Sequence, residues 1–107
     1  MGLFSWLSPT PEKRMQKAQK HLKAKRYAEA REELMGIELP EAAALTIEAE
    51  TGLTKANLEA AMSWANAGDE ERVERHLDLA ARFHKGGLED DFKQVRRHVR
   101  ELREGRK

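Results

Sequence analysis

The stretch ANLEAAMSWANAGDEERVERHLDLAAR, residues 56–82, decides the fold of this chain. On both sides of its central Gly68-Asp69 pair, apolar residues recur at three- and four-residue steps, as on the buried face of an amphipathic helix. Gly68 suits the position just after a helix because it adopts a positive φ without steric cost. Asp69 suits the N-cap of the next helix because its carboxylate accepts from free backbone amides. The stretch therefore predicts two antiparallel helices joined by a tight turn.

Helix start and stop signals continue in both directions from this hairpin. Thr10-Pro11 is a typical helix start, Pro40 and Gly52 bracket a third helical segment, and Thr54 suits the N-cap of a fourth. No run of β-branched or aromatic residues alternates at period two, so no strand is predicted. The sequence indicates an all-α fold of about six helices, near 10–25, 27–36, 40–51, 54–67, 69–85 and 88–104.

The last predicted helix, 88–104, carries a narrow apolar seam. Its apolar residues follow one another at steps of four, three, four and three, namely Leu88, Phe92, Val95, Val99 and Leu102. Most other positions are charged. Such a helix is typical of a capping helix that covers the end of a helical stack with a polar outer face. The alternative is a homodimer in which two copies of helix 88–104 pair along the seam.

Size and cysteine content place the chain in a broad class. The 107 residues suffice for one domain, which we expect over residues 10–107, preceded by an apolar N-terminal segment over residues 1–9. There is no cysteine, which excludes disulfides and thiolate metal sites. A chain without cysteine fits a reducing compartment, so we expect a cytoplasmic location.

Charge is distributed unevenly along the chain. Residues 12–31 have a balance of +6, residues 32–91 of −10 and residues 92–107 of +5, within a net charge of +1. Helix surfaces need charge in any case, but a basic end also suits an acidic partner, a lipid surface or phosphate. Helical spacing aligns Arg96, Arg100 and Arg103 as candidate phosphate contacts. The alternative function is therefore binding of nucleic acid or of an anionic membrane surface, with nucleic acid the weaker because the acidic middle repels it.

The N-terminal segment contains four large apolar side chains, Leu3, Phe4, Trp6 and Leu7, followed by Pro9. The run is too short to span a bilayer and lacks the pattern of a signal peptide. Burial favours a short turn that packs on the first helical hairpin, because soluble proteins rarely leave such a cluster open. The alternative is a peripheral anchor for a membrane or a partner through residues 1–8, next to a basic helix.

The two ends of the chain share a spacing pattern. A first set of five residues recurs 43 residues later with the same intervals, as Ala18, His21, Ala30, Leu34 and Ile37 and then Ala61, Trp64, Val73, Leu77 and Ala80. The order of small and large residues across a tight turn resembles the tetratricopeptide repeat. The period differs from the roughly 34 residues of that family, and His21 stands where an aromatic Tyr is usual. The resemblance implies antiparallel hairpins stacked as a short α-solenoid, with Trp64 largely buried.

The same resemblance implies a function. Tetratricopeptide proteins bind peptides or protein partners on the concave face that the first helix of each hairpin lines. Carried over to this chain, the partner-binding residues are Gln16, Gln19, Lys23, Glu59, Met62 and Asn66. The expected function is thus a small adaptor or scaffold for protein–protein interaction. The family's charged clamp for a peptide carboxylate is not predicted, because Lys23 alone matches it.

Catalytic and metal-binding patterns are missing from the sequence. It contains no HExxH, Walker, GxSxG or GxGxxG motif. His76 and His84 are eight residues apart, which is too far along a helix for both to hold one metal ion. We expect neither an enzyme, nor a cofactor, nor a metal site.

Overall fold

The structure, a computed structural model, describes residues 10–84 and 86–105. Within these residues there are five α-helices and no strand, which confirms the all-α class. The helices are α1 (Pro11–Lys23), α2 (Tyr27–Leu34), α3 (Pro40–Ala67), α4 (Glu70–Phe83) and α5 (Glu89–Gly105). None of the helices in these two ranges is long and apolar enough to cross a bilayer.

The prediction of six helices is wrong in one place, because 40–51 and 54–67 form the single helix α3. Gly52 does not end a helix and has helical backbone. Thr54 does not cap one either, since it lies inside α3 and is fully buried. A glycine inside a helix costs only about 1 kcal/mol relative to alanine, and neighbouring Ala, Glu and Leu residues favour the helix.

The pattern of buried residues along α3 explains why the sequence suggested a break. The buried apolar positions are 42 and 49 in its first part and 58, 61 and 65 in its second. At about 100° per residue these two sets differ in phase by roughly half a turn. A single amphipathic pattern therefore does not run through the whole helix, although the backbone does.

The chain divides between Glu50 and Thr51, inside α3, into two compact units. We call residues up to Glu50 unit 1 and those from Thr51 onward unit 2. The expectation of a single domain over residues 10–107 stays a prediction.

Unit 1 combines α1, α2 and the first part of α3. Its buried core consists of Ala18, Leu22, Ala30, Leu34, Ala42 and Ala49. The side chain of Thr10 caps α1 by accepting from the amide of Lys13 (3.2 Å), as predicted. Arg14 Nη2 donates to the carbonyl of Met35 (2.9 Å), so the start of α1 lies beside the end of α2. The two helices are therefore antiparallel.

Unit 2 combines the second part of α3 with α4 and α5. Its buried core consists of Leu58, Ala61, Ala65, Val73, Leu77, Ala80, Leu88, Phe92, Val95 and Val99, with Met62, Trp64 and Leu102 packed against it. The seam of helix 88–104 thus faces the core of its own unit. The alternative of a homodimer through helix 88–104 stays a prediction.

The turn between α3 and α4 has the geometry that its sequence predicts. Gly68 has φ 81°. Its amide donates to the carbonyl of Ala65 (3.1 Å), and the amide of Asp69 donates to that of Trp64 (3.0 Å). These two bonds define a Schellman ending of the helix. The Asp69 side chain then accepts from the amide of Arg72 (3.0 Å), which caps α4.

The turn between α1 and α2 repeats this geometry 43 residues earlier. Lys25 takes the place of the glycine and has φ 59°. Its amide donates to the carbonyl of Leu22 (3.0 Å), and the amide of Arg26 donates to that of His21 (2.8 Å). Arg26 provides no side-chain cap for α2. The spacing repeat read from the sequence is therefore accompanied by a repeat of backbone structure.

Trp64, which was predicted to be largely buried, is half-buried and packs against the core of unit 2. One face of its ring is covered by Arg72, whose guanidinium carbon lies 4.2 Å from the ring centroid. The indole thus lies at the margin of the core of unit 2.

Candidate binding site

A groove of about 370 Å³ lies between α3 and α5 in unit 2. Buried Leu58 and Val95 and half-buried Met62 form its apolar lining. Its polar lining comes from four side chains, Lys55, Glu59, Asp91 and Gln94. A concave surface with an apolar floor and a few polar groups around it is the usual form of a binding pocket.

A hydrogen bond between the same two helices lies further along this groove. Asn66 Oδ1 and His98 Nε2 are 3.0 Å apart. On α3 the groove residues run from Lys55 to Met62, and Asn66 follows them. On α5 they run from Asp91 to Val95, and His98 follows them. Positions thus advance in the same direction on both helices, so α5 runs parallel to this part of α3. Asn66, a predicted partner contact, is engaged in linking the two helices.

Unit 1 has a groove of about 430 Å³ in the corresponding place, between α1 and the first part of α3. It is lined by Gln19, Leu22, Lys23, Leu45 and Glu48. Gln19 and Lys23 were predicted as partner contacts and lie in it. Gln16, predicted with them, is exposed on α1 but does not line this groove.

The two grooves correspond by residue position. The offset of 43 that relates the hairpins also relates Gln19 to Met62 and Glu48 to Asp91. Four of the six predicted contacts thus line a groove, Gln19 and Lys23 in unit 1 and Glu59 and Met62 in unit 2. Sequence reasoning missed the residues that the third helix of each unit contributes. Extending the repeat beyond the hairpins, from Leu45 to Leu88, was the signal that could have found them.

The predicted phosphate contacts Arg96, Arg100 and Arg103 do line one shallow groove, of about 290 Å³ between α4 and α5. Arg103, however, is paired with α4. Its Nη2 donates to Glu74 Oε1 (3.0 Å), and its Nε lies 3.1 Å from Glu70 Oε1. Arg96 lies over Phe92, with its guanidinium carbon 5.3 Å from the ring centroid. The carboxylates of α4 therefore offset part of the positive charge that this line offers to phosphate.

A carboxyl in the first turn of α5 has a pKa that clearly departs from its ordinary value. Hydrogen bonds from the backbone amides of Glu89 itself and of Gly87 hold the pKa of the Glu89 carboxyl below its usual value. His84 adds to this, since its Nε2 lies 3.8 Å from Glu89 Oε1. The His84 ring also packs against Phe92, with centroids 5.0 Å apart. The arrangement stabilises the start of α5.

No group of three or more His, Cys, Asp or Glu residues that could hold a metal ion occurs within residues 10–84 and 86–105. The predicted anchor residues Leu3, Phe4, Trp6 and Leu7 lie outside the described residues.

Comparison with models of protein families, with curated proteins and with solved structures gave no match to this chain. Its own residues and their geometry therefore carry the functional inference.

Proposed function

We propose that this chain is a small cytoplasmic module for protein–protein interaction, and that the α3–α5 groove of unit 2 holds a side chain of a bound peptide. The observation that carries the proposal is the apolar floor of the groove, where half-buried Met62 lies between the buried Leu58 and Val95. Methionine suits such a surface because its flexible, polarizable side chain adapts to different partners.

The shape of the groove favours a peptide over a small metabolite. Its volume of about 370 Å³ is at the low end of ligand pockets and suits one or two side chains. It lies between two parallel helices, where an amphipathic helix or an extended segment could lie with one apolar residue inserted.

Charge around the groove specifies the partner further. Glu59 and Asp91 are negative and Lys55 is positive, so the lining carries a net negative charge. We expect a partner with an apolar anchor beside a lysine or arginine, because that cation would meet Glu59 or Asp91.

The finer architecture, a short α-solenoid of the tetratricopeptide type, belongs to the same proposal. The repeated turn at Lys25 and Gly68 supports a duplicated helical hairpin. The corresponding groove of unit 1, lined by Gln19, Lys23 and Glu48, would then be a second and more polar contact surface.

A selection from a peptide display library against the whole chain tests the site. Selected peptides should contain an apolar residue beside a basic one. Glu59→Lys should weaken their binding about tenfold or more, because it repels the basic residue of the peptide. Met62→Glu should weaken it by at least as much, because it puts a charge on the apolar floor that holds the anchor. Ser63→Glu is the matched control, because Ser63 is exposed on the same helix but does not line the groove. Unchanged affinity in both groove variants, with helical content preserved, would refute the site.

Phosphate binding through Arg96, Arg100 and Arg103 is the weaker candidate because Arg103 already pairs with Glu70 and Glu74. Titration with labelled DNA and RNA at low and moderate salt separates the two functions. A phosphate-driven complex weakens steeply with salt, whereas a peptide held by an apolar anchor does not.

A further inference from the structure

The large apolar side chains that the described residues expose all belong to unit 1. They are Met35, Leu39 and Ile47, with relative exposures of 59%, 37% and 54%. Leu39, Ala43 and Ile47 follow at four-residue steps, and the Leu39 carbonyl accepts from the amide of Ala43 (3.1 Å) in the first turn of α3. These three exposed residues therefore form one apolar stripe along the start of α3, which is separate from both grooves.

The stripe begins at the end of unit 1 where the chain enters α1. Arg14, in the first turns of α1, donates to the carbonyl of Met35 (2.9 Å) and also lies 3.9 Å from Glu33 Oε2. Only a short connection then leads from Met35 to Leu39 and α3. Thr10, the residue that follows 1–9, therefore lies at the same end of unit 1 as Met35.

The chemistry of residues 1–9 matches the stripe. They contain Leu3, Phe4, Trp6 and Leu7 and no charged side chain. Around the stripe, residues 36–49 contain three glutamates and neither lysine nor arginine. An anionic lipid surface would be repelled by these carboxylates. An uncharged apolar segment of the chain would not.

We propose that residues 3–7 cover the stripe formed by Leu39, Ala43 and Ile47 of the same molecule. The distances allow it, because nine extended residues reach about 30 Å, whereas the stripe is only about 12 Å long. Attachment beside the stripe gives the segment an effective concentration of roughly millimolar there. A second copy at micromolar concentration competes poorly with it. The proposal concerns unit 1 and does not depend on peptide binding in unit 2.

Disulfide trapping tests the contact against a clean background, because the chain has no cysteine. In the whole chain, Phe4→Cys combined with Ile47→Cys should form an intramolecular disulfide under mild oxidation at micromolar protein. Phe4→Cys combined with Ala56→Cys is the matched control, since Ala56 is exposed on the same helix away from the stripe. The stripe pair should react at least tenfold faster than the control pair. Equal rates would overturn the proposal, and a disulfide-linked dimer would make a second copy the occupant.

Fluorescence provides an independent readout that does not require cysteines. In a Trp64→Phe background Trp6 is the remaining tryptophan. Its acrylamide quenching should rise at least twofold when Leu39→Lys and Ile47→Lys are added, whereas Ala56→Lys should leave it unchanged. Quenching that is already high and insensitive to the stripe would contradict the proposal. If Trp6 becomes protected only with vesicles of phosphatidylserine and phosphatidylcholine, and the chain sediments with them, a membrane is the occupant instead.

Discussion

The turn between α1 and α2 and the turn between α3 and α4 have the same backbone geometry but different side chains. At the end of α1 the left-handed position is Lys25, and at the corresponding place after α3 it is Gly68. Both turns make the same pair of Schellman hydrogen bonds. In the second turn Asp69 also caps the next helix, whereas Arg26 in the first turn provides no side-chain cap.

The comparison shows that local preference does not decide this turn by itself. A lysine at positive φ is disfavoured by about 1–2 kcal/mol, yet unit 1 adopts the same geometry. The shared feature is a pair of small or branched residues at the helix contact, Ala18 with Ala30 and Ala61 with Val73, all essentially fully buried. Packing of the helix pair therefore enforces the turn in unit 1. In unit 2, Gly68 and Asp69 stabilise the turn in addition to the packing of the helix pair.

Breaking the helix that contributes to both units should have the largest effect. Gly52→Pro removes a backbone hydrogen bond inside α3 and should lower the free energy of unfolding by about 3 kcal/mol or more. Equilibrium denaturation followed by circular dichroism measures this. A loss below about 1 kcal/mol would mean that the chain breaks near Gly52, as its sequence first suggested.

The second largest effect is a difference in stability loss between substitutions at the margins of the two cores. Trp64→Ala should cost roughly 2–3 kcal/mol, less than the 3–5 typical of a fully buried aromatic, because the ring is half-buried. His21→Ala, at the corresponding place in unit 1, should cost only about 1 kcal/mol, mainly through the loss of its hydrogen bond from Arg26 Nε (3.0 Å). Equal losses in denaturant unfolding would contradict the asymmetry between the units.

Exchanging the turn residues should produce effects of opposite sign. Lys25→Gly should stabilise the chain by about 0.5–1 kcal/mol, and Gly68→Lys should destabilise it by about 1 kcal/mol, because only glycine adopts positive φ without steric cost. Thermal unfolding of both variants measures the changes. Lys25→Ala is the control and should give no gain. If Lys25→Gly were neutral or destabilising, the lysine side chain would have to contribute contacts that offset its backbone strain.

The smallest effect concerns pH and belongs to unit 2. The pKa of Glu89 is lower in the folded chain than its ordinary value of 4.5, so its ionised form stabilises the fold. That contribution is present above the unfolded pKa and is lost as the pH falls through the folded one. Glu89→Gln should therefore be slightly less stable than the parent at neutral pH, and the difference should vanish in acid. Thr46, the corresponding residue of unit 1, does not titrate there. A difference that persists at low pH would indicate a packing effect instead.

The sequence by itself determined the features that depend on neighbouring residues. The caps at Thr10 and Asp69 and the turn at Gly68 follow from short-range chemistry, and the structure contains all three. The helical class also follows, because strong helix formers recur at helical spacing. Gln19, Lys23, Glu59 and Met62 line grooves because the first helix of each hairpin carries them, and their role as partner contacts stays a prediction.

Only the tertiary structure decided what depends on distant parts of the chain. The continuity of α3 through Gly52 was not evident, because its apolar pattern changes phase by roughly half a turn where the helix passes from one core to the other. That Glu48 and Asp91 line the grooves was not evident either, because the packing of the third helix of each unit brings them there. The apolar seam of α5 likewise packs into the core of unit 2, which the sequence did not show. An apolar face in the sequence indicates that the face is buried. Which surface covers it depends on how the helices pack.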